Sequence, residues 1–423
     1  MTADAPTITD PTQDPTIARH DAHLSPNYPR FPITVARGSG SELWDANGKR
    51  YIDLFAGFGA PILGHCHPEL VAAVTEQANT LWHVGNLYHT DPQTRAAQAI
   101  SQASGFDAKV FFCHAGADAN EAAIKLARLY GKQHPRNSTS EHGRFELISC
   151  TQSFHGRSFA TMGATGNPAV REGFGPHLPG TTNVPYNNLD AVKAALTDQT
   201  IAIIAEPIQG EGGVHVPDPD YFQQLRALCD EHDLLLIADE VWTGCGRTGQ
   251  WFGYQHWGIT PDLFTLGKGV GGGLAVGAMA AHPRLTELVD PAVVGSVKHA
   301  TTLGGNCLSM AVTAKIFEVI QRNDLLTRAT ELQQHITAKL TPLLGDDNPI
   351  KEIRGRGLFL GLELHEPLVA GDVMKHALTQ GLMLNATSGN VLRLAPPLTI
   401  ETALLDEGLD LLAQCLTQPT AAS

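Results

Sequence analysis

Short, mostly apolar runs constrain the fold of this 423-residue chain more than any other feature. Such runs cover residues 200–205, 234–238 and 262–267, and a stretch with helical spacing of apolar residues, 219–232, separates the first two. Strands without polar alternation are typical of parallel sheets that helices cover on both faces. Further runs of the same kind lie at residues 109–113, 145–150 and 275–281. The sequence therefore predicts an α/β fold built around a largely parallel sheet.

Three charged residues, Glu206, Asp239 and Lys268, stand where these predicted strands end. Because open parallel sheets bind ligands at the carboxyl ends of their strands, we expect these side chains to converge although they are far apart in sequence. Glycine follows Lys268 directly, so the lysine amine can lose part of its solvation. Such a loss lowers the pKa of an amine and makes it a usable nucleophile.

A turn of small residues, 114–117, connects the predicted strand 109–113 to a helix that begins near Asp118. Free N–H groups at a helix N-terminus bind anions, most naturally a phosphate, and Gly116 lets a ligand approach closely. A lysine, a carboxylate and a phosphate turn are together what pyridoxal phosphate requires, for its aldehyde, its ring nitrogen and its phosphate. Spacing alone leaves other roles open, since Asp239 also suits a helix cap or a cation site.

Three other motifs suggest different chemistry but fail on their context. Residues 244–249 match the GxGxxG pattern of dinucleotide-binding folds, yet no clear helix follows and no acid closes a following strand. Residues 267–269 lack the hydroxyl residue and the upstream glycine of a P-loop. His65, Cys66 and His67 have no obvious second cluster of ligands, so no metal site is expected.

The composition argues against two classes of partner. The formal net charge is −14, from 29 basic and 43 acidic residues, and this disfavours nucleic acid and anionic membrane surfaces. No apolar run approaches the roughly 18 to 20 residues that span a bilayer, and the N-terminus lacks the regions of a secretory signal. The seven scattered cysteines fit reduced thiols better than disulfides. We therefore expect a cytoplasmic protein.

A series of motifs, in order along the chain, resembles class III aminotransferases, which are pyridoxal-phosphate-dependent enzymes of fold type I. The motifs are GHCHP at 64–68, ANEAAIK at 119–125, SFHGR at 153–157, AEPIQGEGG at 205–213, ADEV at 238–241, GRTG at 246–249, GKG at 267–269, TLGGN at 302–306 and RLAPP at 393–397. Within the class, the sequence is most similar to acetylornithine aminotransferases. The resemblance implies a large domain with a mostly parallel seven-stranded sheet and a smaller α+β domain.

The resemblance also implies the domain organisation. We expect a disordered tail at residues 1–25 and an N-terminal segment at 26–75 that packs with the small domain. A large domain that binds pyridoxal phosphate should follow at 76–305, and a linking helix with the C-terminal small domain at 306–423. The family resemblance further implies a homodimer whose active sites are shared across the interface.

The motifs imply a catalytic pair and a set of cofactor contacts. Lys268 matches the lysine that forms the Schiff base with the cofactor and carries the proton, and Asp239 matches the acid on the ring nitrogen. The other implied cofactor contacts are the N–H groups of Gly116 and Ala117 at the phosphate, Val241 and Phe154 on the two ring faces, Trp242 beside the ring oxygen, and Thr302 reaching the phosphate from the partner subunit.

Four residues are implied to bind substrate. Arg157 and Arg393 match two arginines that hold carboxylates, a bidentate task that suits the guanidinium group. Glu206 matches an acid that screens Arg393 while the first amino donor is bound. Thr301 stands where the family has a serine near the acyl-amino acid.

Three departures from the family pattern bear on the site. The usual phosphate turn reads Asn-Ser-Gly-Ala-Glu, whereas this chain has His114, Ala115 and Asp118 at the first, second and last positions, so one hydroxyl contact to the phosphate is missing. A glutamine usually stands at the position of Trp242, whose indole can only donate a hydrogen bond. Phe58 replaces a tyrosine of ornithine aminotransferases, which disfavours free ornithine.

The resemblance implies transfer of the δ-amino group of N2-acetyl-L-ornithine to 2-oxoglutarate, as in arginine biosynthesis. The first alternative is another ω-amine substrate: 4-aminobutyrate, ornithine, succinyldiaminopimelate or an aminoadipate derivative. The second is a pyridoxal-phosphate-binding scaffold without catalysis, which only the changes at Ala115 and Trp242 favour.

Overall fold

The computed structural model describes residues 14–136 and 141–418. Its strands are β1 (Val35–Ser39), β2 (Glu42–Asp45), β3 (Arg50–Asp53), β4 (Lys109–Cys113), β5 (Glu146–Cys150), β6 (Thr181–Val184), β7 (Thr200–Ala205), β8 (Leu235–Asp239), β9 (Leu263–Leu266), β10 (Gly277–Ala281), β11 (Ile350–Arg356), β12 (Phe359–Leu364), β13 (Leu382–Met383), β14 (Asn385–Thr387) and β15 (Val391–Leu394). Its helices are α1 (Pro15–His23), α2 (Ala56–Gly59), α3 (Pro68–Thr80), α4 (Asp91–Ser104), α5 (Gly116–Gln133), α6 (Phe159–Ala164), α7 (Pro168–Arg171), α8 (Leu189–Ala194), α9 (Tyr221–Glu231), α10 (Pro283–Thr286), α11 (Pro291–Val294), α12 (Cys307–Arg322), α13 (Leu325–Leu340), α14 (Ala370–Thr379) and α15 (Thr402–Thr417). Within the described residues, no helix combines the length and the apolar character that crossing a membrane requires.

The central sheet has the strand order β4-β10-β9-β8-β7-β5-β6. Neighbouring strands run parallel from β9 to β6, whereas β10 runs antiparallel to both of its partners, β4 and β9. The predicted α/β fold with a mostly parallel seven-stranded sheet is therefore confirmed. Because β10 is reversed between them, β4 and β9 point the same way, and their carboxyl ends lie at one edge of the sheet.

Helices cover both faces of this sheet, which explains why its central strands are mostly apolar. Every position of β7 is buried. Ile204 packs in one hydrophobic cluster with Leu126 of α5, and its neighbour Ile203 packs in another with Phe222 of α9. Alternate residues of a strand thus bury against opposite layers, and each such side chain stabilises the fold by roughly 1.5–3 kcal/mol. The strand ends are accordingly held firmly at the edge where a site can form.

The C-terminal part of the chain forms a smaller sheet with the order β11-β12-β15-β14. A third sheet joins the two ends of the chain, since β3 pairs in parallel with β13, with Ile52 opposite Leu382. Ile52 also shares a hydrophobic cluster with Leu405 and Leu409 of α15. The N-terminal strands are therefore packed against C-terminal elements, while the exact domain boundaries remain a prediction.

The predicted disordered tail, residues 1–25, falls partly outside the described residues, because the structure describes the chain from residue 14 onward. Where the prediction had no regular structure, Pro15–His23 form the helix α1. The Asp14 side chain accepts a hydrogen bond from the Thr16 N–H at 2.7 Å, and a proline occupies the start of the helix. Both features favour a helix start at this point.

Candidate active site

A cavity of about 550 Å³ opens at the carboxyl edge of the central sheet. β8 ends at Asp239, Lys268 follows β9 closely, and the turn after β4 leads into α5 at Gly116. The predicted site residues that line this cavity are Gly116, Ala117, Phe154, Arg157, Asp239, Val241 and Lys268. The structure thus brings together the lysine, the acid and the helix N-terminus that the sequence placed at separate strand ends.

Lys268 opens the turn after β9 in a left-handed backbone conformation, with a φ of 45°. Residues other than glycine rarely adopt this region, so the surrounding structure must hold the lysine in place. Burial lowers the pKa of its amine to about 8, while the carboxylates of Glu211 and Asp239 act in the opposite direction. Near neutral pH, a larger fraction of this amine is therefore unprotonated than of an exposed lysine.

Asp239 is only 2% exposed, and hydrogen bonds reach both of its carboxylate oxygens. Oδ2 accepts from the Asn120 amide at 2.8 Å and from His155 Nδ1 at 2.7 Å. Oδ1 accepts from the Val241 N–H at 3.0 Å. Asn120 is itself held by the Thr265 hydroxyl, which donates to its Oδ1 at 2.7 Å. These contacts fix the position of the carboxylate at the wall of the cavity.

Asn120 and His155 also line the cavity, although the sequence prediction did not include them. Both are almost fully buried, at 1% and 2% exposure. A signal was present, since each is a polar residue inside a motif of the family resemblance, at 119–125 and 153–157. Because both contact Asp239, we regard them as positioning residues for that carboxylate.

The helix α5 begins at Gly116 without a side-chain cap from Ala115. Its first N–H groups are therefore available to an anion in the cavity. A Cβ at Gly116 would lie 2.6 Å from Val241 Cγ2, one at Gly267 would lie 3.0 Å from Gly116 Cα, and one at Gly277 would lie 2.1 Å from the Ala115 carbonyl oxygen. Glycine at these positions lets the turn after β4 cross the start of β10 and approach the end of β9.

Comparison with known proteins identifies the family that shares this site. The family described as aminotransferase class-III matches residues 23–416. The acetylornithine aminotransferase of Caldanaerobacter subterraneus subsp. tengcongensis is 42% identical over 398 residues, which represent 94% of this chain and 98% of that protein. The chain belongs to the class-III aminotransferase family. Enzymes of this family depend on pyridoxal phosphate.

Solved structures of class-III aminotransferases share the whole fold with this chain. The N-acetylornithine aminotransferase from Stenotrophomonas maltophilia is 31% identical, covers 95% of this chain and 98% of its own, and superposes with a TM-score of 0.80. The ornithine aminotransferase from Toxoplasma gondii is 30% identical, with 95% and 94% of the two chains covered and a TM-score of 0.87.

The cavity of this aminotransferase fits pyridoxal phosphate on three observations. The buried Asp239 carboxylate suits the ring nitrogen, the uncapped helix start at Gly116 suits the phosphate, and the Lys268 amine of low pKa suits the aldehyde. Phe154 and Val241 both line the cavity, and their assignment to the two ring faces remains a prediction. Within the described residues, no group of three side chains is arranged to hold a metal ion.

Arg157 offers this aminotransferase an unpaired guanidinium at the cavity. Its side chain is exposed, and among the described residues no hydrogen bond or ion pair holds it. Its Cζ atom lies 5.6 Å from the centre of the Phe154 ring. The guanidinium is therefore free to bind a carboxylate through two parallel hydrogen bonds.

The acid that contacts Arg393 is Glu211 and not Glu206, which corrects the sequence prediction. Glu211 Oε1 accepts a hydrogen bond from Arg393 Nη1 at 3.0 Å. The Glu206 carboxylate instead accepts from the N–H groups of Phe154 and Gly210, at 2.9 and 3.0 Å. Glu206 directly follows the buried strand β7, and its carboxylate faces backbone N–H groups. Glu211 lies five residues later, beyond the turn, and its carboxylate reaches Arg393.

Glu206 is 3% exposed and lies outside the lining of the cavity. Burial raises the pKa of its carboxyl to about 7, the nearby Asp239 adds to this rise, and His155 opposes it. Arg393 is also absent from the cavity lining, and its side chain is fully buried. Neither residue therefore meets the open part of the cavity in this structure.

Trp242 was predicted to lie beside the cofactor, but its side chain does not line the cavity. The indole is 6% exposed, and its Nε1 donates to Glu211 Oε1 at 3.1 Å. Its ring stacks on Phe359, with ring centres 4.9 Å apart. The Lys268 amine lies 4.3 Å from the centre of the indole. Trp242 therefore contacts the amine of a residue that lines the cavity, and its own contact with the cofactor remains a prediction.

Thr301 and Thr302 lie near the phosphate end without lining the cavity of their own chain. Thr301 Oγ1 is 2.8 Å from His114 Nε2, and His114 does line the cavity. Thr302 is exposed. Its contact with the phosphate of a partner subunit remains a prediction.

Proposed function

We propose that this aminotransferase transfers the δ-amino group of N2-acetyl-L-ornithine to 2-oxoglutarate, giving N-acetyl-L-glutamate 5-semialdehyde and L-glutamate. One observation carries the proposal: among the described residues that line the cavity, Arg157 is an unpaired arginine, and a second arginine, Arg393, is masked by the Glu211 carboxylate. N-acetylornithine has a single carboxylate, remote from the reacting amine, and Arg157 suits it. 2-Oxoglutarate has two carboxylates, and Arg393 becomes available to the second when Glu211 moves aside.

Pyridoxal phosphate, when bound, supplies an aldehyde that stores the amino group and a ring that withdraws electrons from the reacting carbon. Asp239 holds a proton at the ring nitrogen, and the N–H groups of Gly116 and Ala117 bind the phosphate. Lys268 moves the proton at the substrate carbon. The pKa of about 8 gives its amine the neutral fraction that a general base needs near neutral pH.

Ornithine is the second candidate substrate, because the Toxoplasma gondii enzyme named ornithine aminotransferase shares the fold over 95% of this chain. Free ornithine carries a positive α-ammonium group next to its carboxylate. Binding that carboxylate to Arg157 would bring two positive charges together, whereas acetylation removes one of them. The acetylated amine is therefore the better match to an open arginine.

The proposal includes a homodimer with shared active sites. Exposed apolar side chains lie next to Thr302 in the chain and on the segment after Asn86: Leu303 is 51%, Tyr88 64% and Leu87 92% exposed. The two segments adjoin, since the Asn86 amide donates to the Gly304 carbonyl at 2.9 Å. A clustered apolar surface of this kind is typical of a protein interface. Sedimentation of the purified protein at dimer mass is the expected result.

The proposal also places the enzyme in the cytoplasm. All seven cysteines are free thiols, and each of them except Cys66 is buried. Free thiols persist in reducing compartments, of which the cytosol is the general case.

A half-reaction screen tests the substrate assignment. The purified holoenzyme is mixed with N-acetylornithine, ornithine, 4-aminobutyrate, succinyldiaminopimelate or an aminoadipate-derived amine, without an acceptor, and loss of the visible absorbance of the bound cofactor is followed. We expect N-acetylornithine to show the largest apparent second-order rate constant for this half-reaction. Faster conversion by ornithine or 4-aminobutyrate would overturn the assignment of N-acetylornithine as the substrate. No conversion by any amine would overturn the assignment of the protein as an active aminotransferase for these amines.

A further inference from the structure

We propose that Trp242 is a specificity-determining residue, which holds Glu211 against Arg393 and thereby restrains the binding of a second substrate carboxylate. The inference rests on the proposed function, in which Arg393 serves the second carboxylate of 2-oxoglutarate. It concerns a residue that departs from the family pattern and that the cavity lining does not include.

The indole occupies a slot that the surrounding backbone leaves open for it. A Cβ at Gly59 would lie 2.7 Å from Trp242 Cζ3, and a Cβ at Gly210 would lie 2.6 Å from its Cδ1. Phe359 stacks on the indole at an interplanar angle of 11°, and Phe55 packs against it with ring centres 6.4 Å apart. The indole therefore has little freedom to turn, and the direction of its N–H group is fixed.

The fixed N–H group points at the masking acid. Trp242 Nε1 donates to Glu211 Oε1 at 3.1 Å, and Arg393 Nη1 donates to the same oxygen at 3.0 Å. Burial would raise the pKa of Glu211, but the charges of Arg393 and Lys268 hold it below its usual value, together with hydrogen bonds from Arg393 and the indole. Glu211 is consequently an ionised acceptor, and hydrogen bonds to ionised groups are the stronger kind.

Arg393 also contacts the indole, but two of its guanidinium nitrogens have no hydrogen-bond partner among the described residues. The Arg393 Cζ atom lies 4.3 Å from the centre of the indole, within the range of a cation–π contact. Its side chain is fully buried, and its Nε and Nη2 atoms have no hydrogen-bond partner among the described residues. The guanidinium therefore stays beside the indole with donors that Glu211 does not use, and these donors suit a substrate carboxylate.

The two half-reactions make different demands on this arrangement. An amine without a carboxylate beside its reacting carbon leaves the pair between Glu211 and Arg393 intact. A dicarboxylate must displace Glu211, and the indole N–H then loses its charged acceptor while it is still buried. A hydrogen bond of that kind corresponds to about tenfold or more in an equilibrium constant. Trp242 thus weakens the binding of dicarboxylates selectively.

Binding of glutarate to the holoenzyme, measured by calorimetry, tests this without turnover, because glutarate has two carboxylates but no amine or keto group. Trp242→Phe keeps an aromatic ring and deletes the N–H group, so it should bind glutarate about tenfold more tightly than the unchanged enzyme. Pentanoate, with one carboxylate, should bind both forms equally. Trp251→Phe is the matched control, because Trp251 also stacks on a phenylalanine, Phe317, with ring centres 5.1 Å apart.

Glu211→Gln tests whether the indole acts through the acid. Glu211→Gln alone should also tighten glutarate binding, and adding Trp242→Phe to it should give little further change. Equal or weaker glutarate binding by Trp242→Phe would overturn the inference, and so would an undiminished effect in the Glu211→Gln background. Should Trp242→Phe not fold, Trp242→Leu deletes the same N–H group. Failure of the proposed function is separate, since it appears as a missing N-acetylornithine half-reaction in the unchanged enzyme.

Discussion

His155 Nδ1 lies 2.7 Å from Asp239 Oδ2, and both side chains are excluded from solvent. His155 Nε2 has no hydrogen-bond partner among the described residues, so the Asp239 carboxylate is the polar contact of this imidazole. The histidine therefore orients a carboxylate on which the chemistry of the ring nitrogen depends.

Replacing the histidine should weaken catalysis through Asp239. A hydrogen bond to a charged group contributes about 1.5–3 kcal/mol, so we expect His155→Ala to lower kcat about tenfold or more. His155→Asn keeps a side-chain N–H donor at a similar distance from the backbone and should recover part of the rate. Steady-state kinetics and the rate of cofactor loss on dialysis measure both effects. Identical behaviour of the two variants would show that the hydrogen bond has no such role.

The low pKa of Lys268 predicts how the cofactor-free enzyme takes up pyridoxal phosphate. Only the neutral amine attacks an aldehyde, and the amine loses its proton as pH rises through about 8. The rate of uptake should therefore increase up to about this pH and then level off. With a lysine of ordinary pKa, the rate of uptake would continue to rise toward about pH 10.4. The visible absorbance of the bound cofactor follows the uptake, and a rate still rising well above pH 9 would contradict the lowered pKa.

Two variants separate the reactive lysine from lysines in general. Lys268→Ala should give no specific visible absorbance and no transamination, because no amine remains in the cavity. Lys375→Ala is the control, since that lysine lies on the exposed surface of α14 and pairs with Asp372 at 3.0 Å. It should bind the cofactor and turn over normally.

Gly116→Ala should reduce retention of the cofactor. The added Cβ would lie 2.6 Å from Val241 Cγ2, so either the valine or the first turn of α5 must shift. Overpacking of this kind costs about 1–3 kcal/mol. Gly163→Ala is the matched control, because its Cβ would meet only the Leu178 carbonyl oxygen at 3.7 Å. Dialysis followed by measurement of bound cofactor compares the two, and equal retention would mean that the phosphate does not lie at this turn.

Arg157→Lys should raise the KM of both N-acetylornithine and 2-oxoglutarate while changing kcat little. Lysine keeps the charge but cannot form the two parallel hydrogen bonds of a guanidinium. Loss of one charged hydrogen bond predicts an increase of about tenfold or more. Arg322→Lys serves as the control, because Arg322 pairs with Glu69 on the surface. An unchanged KM for both substrates would remove Arg157 from the substrate site.

Sequence reasoning reached the central features of the fold because they depend on local pattern. The apolar runs at β7, β8 and β9 predicted buried parallel strands, which the structure contains. The charged residues after two of these strands, Asp239 and Lys268, line one cavity as expected. The antiparallel direction of β10 could not be predicted from the sequence, since a short buried strand has the same composition in either orientation.

The partner of Arg393 and the packing of Trp242 both depend on long-range geometry. Glu206 and Glu211 belong to one motif, and only the shape of the turn after β7 decides which of them reaches Arg393. Trp242 follows the cofactor-binding motif, and the packing of its indole depends on the absence of a side chain at Gly59, which is far away in sequence. Distances of this kind leave no trace in the spacing of residues along the chain.

The reversed strand β10 also sets the order in which the site can come into being during protein synthesis. Within the central sheet, β4 is joined to the other strands by β10, which follows β8 and β9 in the chain. A nascent chain that ends at Lys268 already carries the lysine, the acid and the hydrogen bond that joins Asn120 of α5 to Asp239, but β4, which leads into α5, still has no partner strand in the sheet. Pairing of β4 with the sheet must therefore wait until Gly277–Ala281 has left the ribosome, so pyridoxal phosphate meets a site with all of its strands paired only when the large sheet is nearly complete.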